Sequence, residues 1–234
     1  MYAKFLTVFL LGTTAALSGC ATSPKNPDPL EGMNRKIFQF NETVDKYALK
    51  PVAKGYQAVT PDFLEQGINN AINNLFYTTV IINQFLQGKF KEGVQDTTRL
   101  VFNTTLGVGG LFDVASAGGM PKHNEDFGQT LGAWGFDNGA YLVLPILGPS
   151  SVRDGVGRVG DLFTNPVFYI EEDSVRYGLA GMTIINTRAN LLKTESLITG
   201  DKYLFLRDAY LERRKYLVND EKIEESDPFL NEQE

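Results

Sequence analysis

The chain has 234 residues, 43% hydrophobic and 21% charged, which suits one domain with its own core and is too apolar for a wholly disordered protein. Its 22 Lys and Arg against 28 Asp and Glu give a net charge of −6 with no dense basic block, which argues against nucleic acid as a partner. One cysteine excludes an internal disulfide, and one cysteine with one histidine excludes a His/Cys zinc site, so no metal or cofactor is expected.

The chain opens with Lys4 and a thirteen-residue apolar run, 5–17, followed by Leu17-Ser18-Gly19-Cys20. This pattern reads as a secretory signal, too short to span a membrane as a helix. Its end resembles the lipobox of bacterial lipoproteins. That resemblance implies removal of residues 1–19 and acylation of Cys20, on sulfur and on nitrogen, as the lipid attachment site. Several acyl chains anchor a protein stably where one does not. Residue 21 is Ala rather than Asp, which by the same resemblance implies the outer membrane. Residues 20–29 form the acylated tether. The segment 21–29 contains Pro24, Pro27 and Pro29, so it is extended and reaches at most about 28 Å. The body that follows must lie on or in the lipid surface.

Helical spacing dominates the remainder. Met33, Ile37, Phe40, Val44 and Tyr47 share one helix face, and Pro51 ends that helix or starts the next. Thr60-Pro61 reads as N-cap and first helical residue, ahead of Leu64, Ile68 and Ile72. Val175, Met182, Ile185, Ala189 and Leu192 form a later stripe, and Tyr203, Leu206, Tyr210 and Leu217 another. Taken singly, each stripe reads as ordinary core. The last helix gathers Arg207, Arg213, Arg214 and Lys215 toward its C-terminus, where positive charge suits the helix dipole.

Residues 66–88 carry no charge. A soluble surface helix normally has charged residues on its outer face, and a spanning helix would not hold so many Asn, Gln and Thr. The reading between these is a helix pair in the headgroup and upper acyl region. Asn69, Asn70, Asn73 and Asn74 then form a neutral polar face opposite Ile68 and Ile72, as candidates to face a channel or a headgroup. An Asn-rich soluble hairpin is the alternative.

Residues 104–160 hold 13 of the 23 glycines and read as a Gly-rich loop region. Within it, 127–152 has a single charge, Asp137, together with Trp134, Phe136 and Tyr141, aromatic types enriched at membrane interfaces. Gly132, Gly135 and Gly139 punctuate it as a candidate gating loop. The end, 219–234, is acidic and reads as a disordered tail.

Catalytic chemistry finds little support. Gly155-Val156-Gly157-Arg158-Val159-Gly160 matches GxGxxG, but no apolar strand precedes it, so its glycines read as helix-packing or turn positions. Gly148-Pro149-Ser150-Ser151 is not a nucleophile elbow. His123, in a polar loop at 121–126, is the single candidate imidazole base. Glu125–Asp126 and Glu171–Asp173 read as solvated loop or cap residues. An enzyme is not expected.

A longer set of motifs is specific. Asp28-Pro29-Leu30-Glu31-Gly32-Met33-Asn34-Arg35 and Phe38-Gln39-Phe40-Asn41 open it. Pro51-Val52-Ala53, Phe85-Leu86-Gln87-Gly88, Arg99, Asn103-Thr104 and Gly107-Val108-Gly109-Gly110 continue it. Asp113-Val114-Ala115, the run from Asp126 to Gly132, Leu144-Pro145, Gly148-Pro149-Ser150, Arg153-Asp154, Arg188 and the run from Ala209 to Arg214 complete it. This order and spacing resembles the MlaA/VacJ family of outer-membrane lipoproteins over about residues 28–217. Met33, Lys202 and Glu212 depart from the usual residues.

The resemblance implies an all-α fold: a single ring-like helical domain, residues 30–218, with a central polar channel. Asn34, Arg35, Asn41, Arg99, Asn103 and Arg153 are the motif residues expected to have structural roles. The resemblance further implies a protein embedded in the outer membrane from its periplasmic side and associated with a trimeric porin. Such a protein moves stray outer-leaflet phospholipid to a periplasmic phospholipid carrier of the MlaC type. The alternative is a tethered periplasmic scaffold. A lipid hydrolase would need His123 or a serine.

Overall fold

The computed structural model describes residues 28–195 and 198–220. The signal segment, Cys20, most of the tether and the tail from 221 lie outside the described residues. The described fold is mainly helical. Helix α1 (Glu31–Val44), a π-helical turn (Asp45–Leu49) and α2 (Lys50–Val59) follow without a break. Pro51 therefore starts a helix rather than ending one. A proline ring collides with the carbonyl four residues back, and the wider π turn just before it relieves that clash. Thr60, expected as an N-cap, is the C-cap of α2, and Pro61 is the N-cap of the next helix. Pro61 takes the extended conformation that residues flanking a helix start adopt, at φ −59° and ψ 148°.

The uncharged stretch is one helix, α3 (Asp62–Leu86), and not the expected helix pair. It has no proline and no glycine beyond Gly67 to break it. Packing on several neighbours offsets the modest propensity cost of its asparagines. At 25 residues it is about 37 Å long. Gly88, at φ 77°, allows the left-handed turn that ends it, and α4 (Phe90–Thr105) packs back on it.

The Gly-rich region is more ordered than expected. It holds α5 (Val114–Ala117), α6 (Phe127–Ala133), strands β1 (Tyr141–Leu144) and β2 (Gly148–Ser151), and α7 (Val152–Thr164). The strands pair antiparallel from Tyr141 opposite Ser151 to Leu144 opposite Gly148. A 3-10 turn (Pro166–Tyr169), α8 (Asp173–Leu192) and α9 (Lys202–Val218) complete the described fold. Asp113, Asp126, Ser151 and Asp201 each accept a backbone N–H at the start of a helix, as N-caps do.

Neighbouring elements close into a circuit. It runs from α1 to β1, from β2 to α7, from α7 to α3, and then through α8, α2 and the π turn back to α1. The hydrophobic cluster is small: Tyr141, Val143 and Tyr203, with Ile37, Phe38, Leu204, Tyr210 and Leu211 against them.

The expectation that the apolar stripes are core holds in part: Ile37, Val44, Ile68, Ile72, Ile185 and Leu192 are half-buried and Ala189 is buried. Met33, Phe40, Tyr47, Leu64, Val175 and Met182 are exposed. Tyr203 and Leu217 on α9 do turn inward. On α7, Val152, Val156, Val159 and Phe163 face outward, while Arg153, Asp154 and Gly157 are buried. On α4, Phe90, Val94 and Val101 face outward, and Asp96, Arg99 and Asn103 face inward. Among the described residues, seventeen polar or charged side chains are buried against eleven hydrophobic ones, four of them alanines. Helices α4 and α7 are thus amphipathic with the apolar face outward and the polar face inward.

Candidate functional site

A buried polar side chain is tolerated when its hydrogen bonds are made, and α4 supplies the first such set. Arg99 donates to the Met120 carbonyl at 3.0 Å, to Asp113 Oδ1 at 2.6 Å and to Ser116 Oγ at 2.6 Å. Asn103 donates to Asp113 at 3.0 Å and accepts from the Ala115 N–H at 2.9 Å. These two motif residues tie the loop before α5, and α5 itself, to α4. One turn earlier, Asp96 is fully buried and accepts from Tyr77 Oη at 2.7 Å and Gln84 Nε2 at 3.2 Å. The Nδ1 of His123 lies 2.9 Å from the same carboxylate. Burial first, and then the bond to Asp96, push the Tyr77 phenol up from its ordinary value.

A second set fastens the C-terminal helix. Arg214 reaches Asp126 at 2.5 and 2.9 Å and Asp154 at 2.9 Å, and Tyr210 Oη also donates to Asp154. Arg214 was expected to meet the dipole of its own helix. Instead it is buried between α6 and α7 and neutralises two carboxylates. Burial pushes the Asp126 carboxyl up, but the bonds and charge of Arg214 together with the bonds from Gln129 outweigh it and hold the group below the usual range. Glu125, expected to be solvated, is also buried, paired with Lys89 at 2.9 Å. Arg153 lies against Asp154 at 3.0 Å.

A third set holds the hairpin. Asn34 of α1 donates to the Tyr141 carbonyl at 3.0 Å and accepts from the Val143 N–H at 2.9 Å. Asn41 repeats the arrangement with the Leu144 carbonyl at 2.9 Å and the Ile146 N–H at 2.7 Å. Seven helical residues rise about 10 Å, as do three strand residues. Asn34 therefore holds the middle of β1, and Asn41, one heptad on, holds its end and the turn residue Ile146 beyond it. Arg35 stacks over the Tyr203 ring at 4.3 Å and bonds Glu31 at 2.7 Å and Asp201 at 3.0 Å.

Helix α3 divides two environments. Ile68, Ala71, Ile72 and Leu75 line an open apolar groove of about 500 Å³ with Leu179 and Met182. Around the helix, Asn70, Asn73, Asn74 and Tyr77 line a small polar pocket with Arg99 and Lys122. The four asparagines do not form one face. Asn69 turns to α8, accepting from Asn186 at 3.0 Å and Asn190 at 3.1 Å. Asn70 donates to the Leu111 carbonyl at 3.2 Å and Asn74 to Thr104 Oγ1 at 2.9 Å. Two further cavities, of about 400 and 260 Å³, are both lined by Asn124 and Glu125.

Of the candidate loop glycines, Gly132 lies inside α6, where an added Cβ would press on Val218 at 2.8 Å. Gly135 and Gly139 lie in the segment joining α6 to β1, at φ 91° and 69°. The GxGxxG run is a helix crossing. An added Cβ at Gly157 would sit 2.4 Å from the Gly128 nitrogen, and one at Gly160 would sit 2.6 Å from the Phe127 ring.

Sequence reading did not single out Gln84, Lys89, Asp96 or Asp161. The 96, 99, 103 spacing on α4 is a polar stripe at helical period and was the available signal. Among the described residues no cluster of three His, Cys, Asp or Glu could hold a metal, and no helix is long and apolar enough to cross a membrane.

Comparison with known proteins agrees in extent and in fold. The sequence profile of the MlaA lipoprotein family matches residues 26–217. The intermembrane phospholipid transport system lipoprotein MlaA of Escherichia coli K12 is 36% identical, covering 92% of this chain and 88% of that one. Its counterpart in Haemophilus influenzae is 32% identical, covering 98% and 96%. A solved chain, from work on the structural basis for maintenance of bacterial outer membrane lipid asymmetry, superposes with a TM-score of 0.72 at 35% identity. It covers 82% of this chain and 99% of its own length. With its motif residues engaged in the contacts described above, the chain belongs to the MlaA lipoprotein family.

Proposed function

We propose that this protein is an outer-membrane lipoprotein, acylated at Cys20 and embedded from the periplasmic side. It passes displaced outer-leaflet phospholipid to a periplasmic carrier of the MlaC type, in association with a trimeric porin. The carrying observation is the reversed amphipathicity: valines and phenylalanines line the outside of α4 and α7, and Asp96, Arg99, Asn103, Arg153 and Asp154 lie within. An apolar exterior is stable only against lipid or a partner, and each such side chain, half-buried in acyl chains, gains about 1 kcal/mol. A polar interior whose charges are paired offers a phospholipid head a wet route. Its tails, which cost about 0.8 kcal/mol per methylene in water, follow apolar surface such as the groove beside α3. Relatives named for intermembrane phospholipid transport support the reading. Asn70, Asn73 and Asn74 are the headgroup-facing candidates, and the segment holding Gly135 and Gly139 is the candidate gate.

The test is the mature chain with Cys20→Ala, produced without its signal. It should float with liposomes or require detergent, and a monodisperse protein in plain buffer refutes embedding. Deletion of the gene should raise surface-exposed phospholipid, and restoring it should reverse the change. Normal aqueous behaviour with unchanged surface lipid would identify a tethered scaffold instead.

A further inference from the structure

We propose that the cavity between α3, α7 and residues 124–125 binds the head of a zwitterionic phospholipid, its phosphate on Arg158 and its ammonium on Asp161. The inference deepens the lipid-passage reading and rests on it. The cavity is about 260 Å³, lined among others by Thr79, Asn124, Glu125, Arg158, Asp161 and Asn165. Pockets for whole small molecules run from about 300 to 1,000 Å³, so this one has room for a head and leaves the tails outside.

Arg158 and Asp161 depart from the pairing of the interior charges. They lie one turn apart on the face of α7 turned away from Val152, Val156 and Phe163. Side chains at that spacing start about 5–6 Å apart, near enough to pair, yet no ion pair joins them. Arg158 is half-buried and donates from Nη2 to the Pro149 carbonyl at 3.1 Å. Its remaining N–H groups have no acceptor among the described residues and are open to solvent. Asp161 is also half-buried, and its Oδ1 accepts from Asn83 Nδ2 at 3.2 Å and from the Phe127 N–H at 2.9 Å. Its Oδ2 accepts no bond among the described residues and is not sealed in protein. Burial outweighs those bonds and the nearby Arg214, and it raises the carboxyl to about 6. At neutral pH the group is thus an ion held at a cost that an arriving cation relieves.

Charge selects the ligand. The other acid at the cavity wall, Glu125, is already held by Lys89 at 2.9 Å and by Gln87 at 2.8 Å. What the cavity presents is one open guanidinium and one open carboxylate. A free phosphate or an anionic head satisfies Arg158 and leaves Asp161 unmatched, and a lone amine does the reverse. A phosphoethanolamine head carries both signs across a short two-carbon link. Its phosphate meets the guanidinium fork and its ammonium meets Oδ2, each through charge-assisted hydrogen bonds.

The test uses the full acylated chain in detergent micelles at pH 7.5, with short-chain phosphatidylethanolamine and phosphatidylglycerol as probes. The zwitterionic lipid should bind about tenfold tighter than the anionic one. Asp161→Asn removes a buried charge and should fold; it should abolish the preference by weakening phosphatidylethanolamine alone. Arg158→Gln should weaken both lipids. A preference that survives Asp161→Asn overturns the proposal. Equal affinity for the two lipids on the unmodified protein overturns it as well, and this arm does not depend on a variant folding. Glycerophosphoethanolamine distinguishes the source: binding as tight as the lipid's assigns the cavity to a soluble zwitterion and overturns the lipid assignment. Lipid transfer between vesicles separates this from the underlying reading. Transfer of both lipids with equal affinities refutes the zwitterion site alone, and no transfer of either refutes passage itself.

Discussion

Asn34 and Asn41 make the same contact with the hairpin in different surroundings, and this gives a sharp prediction. Asn34 is fully buried, and its groups bond Asp28 Oδ1 at 2.8 Å, the Tyr141 carbonyl and the Val143 N–H. Tyr141 and Val143 are themselves buried. Asn34→Ala therefore leaves two backbone groups, the Tyr141 carbonyl and the Val143 N–H, without their partner where water cannot reach, while Asp28 keeps the bond from Tyr203. At about 1–3 kcal/mol for each stranded group, the loss is about 2–4 kcal/mol. Asn41 bonds the Leu144 carbonyl and the Ile146 N–H, and Ile146 is 58% exposed at the hairpin tip. Water replaces those bonds, so Asn41→Ala should lose about 1 kcal/mol. Its effect is on mobility: hydrogen exchange at the Ile146 amide should quicken while exchange at Val143 does not. Urea unfolding in micelles measures the first quantity, and amide exchange by mass spectrometry the second. Equal destabilisation by the two variants, or unchanged exchange at Ile146 in Asn41→Ala, would refute the reasoning that solvent access sets the difference.

Four other outcomes follow. Arg214→Met takes the countercharge from Asp126, while Asp154 keeps Arg153 and Tyr210, and should lose about 3–5 kcal/mol. Because Asp126 is held below its ordinary value, this contribution is present above about pH 4 and lost as pH falls further, so the gap between wild type and variant should narrow in acid melts. Asp161 behaves oppositely: burial, with nearby Asp126, raises it to about 6. The folded state then binds the proton more tightly than the unfolded one, and its penalty grows as pH rises from about 4 to 6. Asp161→Asn should stabilise by about 1–2 kcal/mol at pH 7.5, after allowance for solvent screening, and by little at pH 4, as read by unfolding at both pH values. Gly157→Ala places its methyl against the Gly128 backbone and should lose about 1–3 kcal/mol by prying α6 from α7, whereas Gly155→Ala, whose methyl would meet only Ser150 Oγ at 3.9 Å, should not. Gly135, with nothing near an added Cβ but a φ of 91°, should tolerate Asn better than Val, and if its segment gates the passage, Gly135→Val impairs lipid clearance at unchanged protein level.

Periodicity reports that two faces of a helix differ and is silent on what lies against each. The spacing of Val152, Val156, Val159 and Phe163 on α7 fits burial in protein as well as burial in lipid, and Tyr203 and Leu217 on α9 do pack inward. What decides the phase is the opposite stripe. Asp96, Arg99 and Asn103 on α4 find partners in Tyr77, Gln84, Asp113 and Ala115, from three other segments, and a stripe of ions with matched partners belongs inside. Those partners are distant in sequence or lie on other elements, so no local window contains the answer. The same limit split the asparagine cluster. Successive helical residues turn by about 100°, so Asn69 meets Asn186 on α8 while Asn70 meets Leu111. The hairpin was hidden for a different reason. Its strands are four residues each, one of them Gly-Pro-Ser-Ser, too short and too irregular for a period of two to register. Its third partner is a pair of helical asparagines. Asn34 and Asn41 lie one heptad apart on α1, about 10 Å, and span the hairpin from the middle of β1 to the turn beyond it, so their roles show only once the hairpin is placed beside the helix.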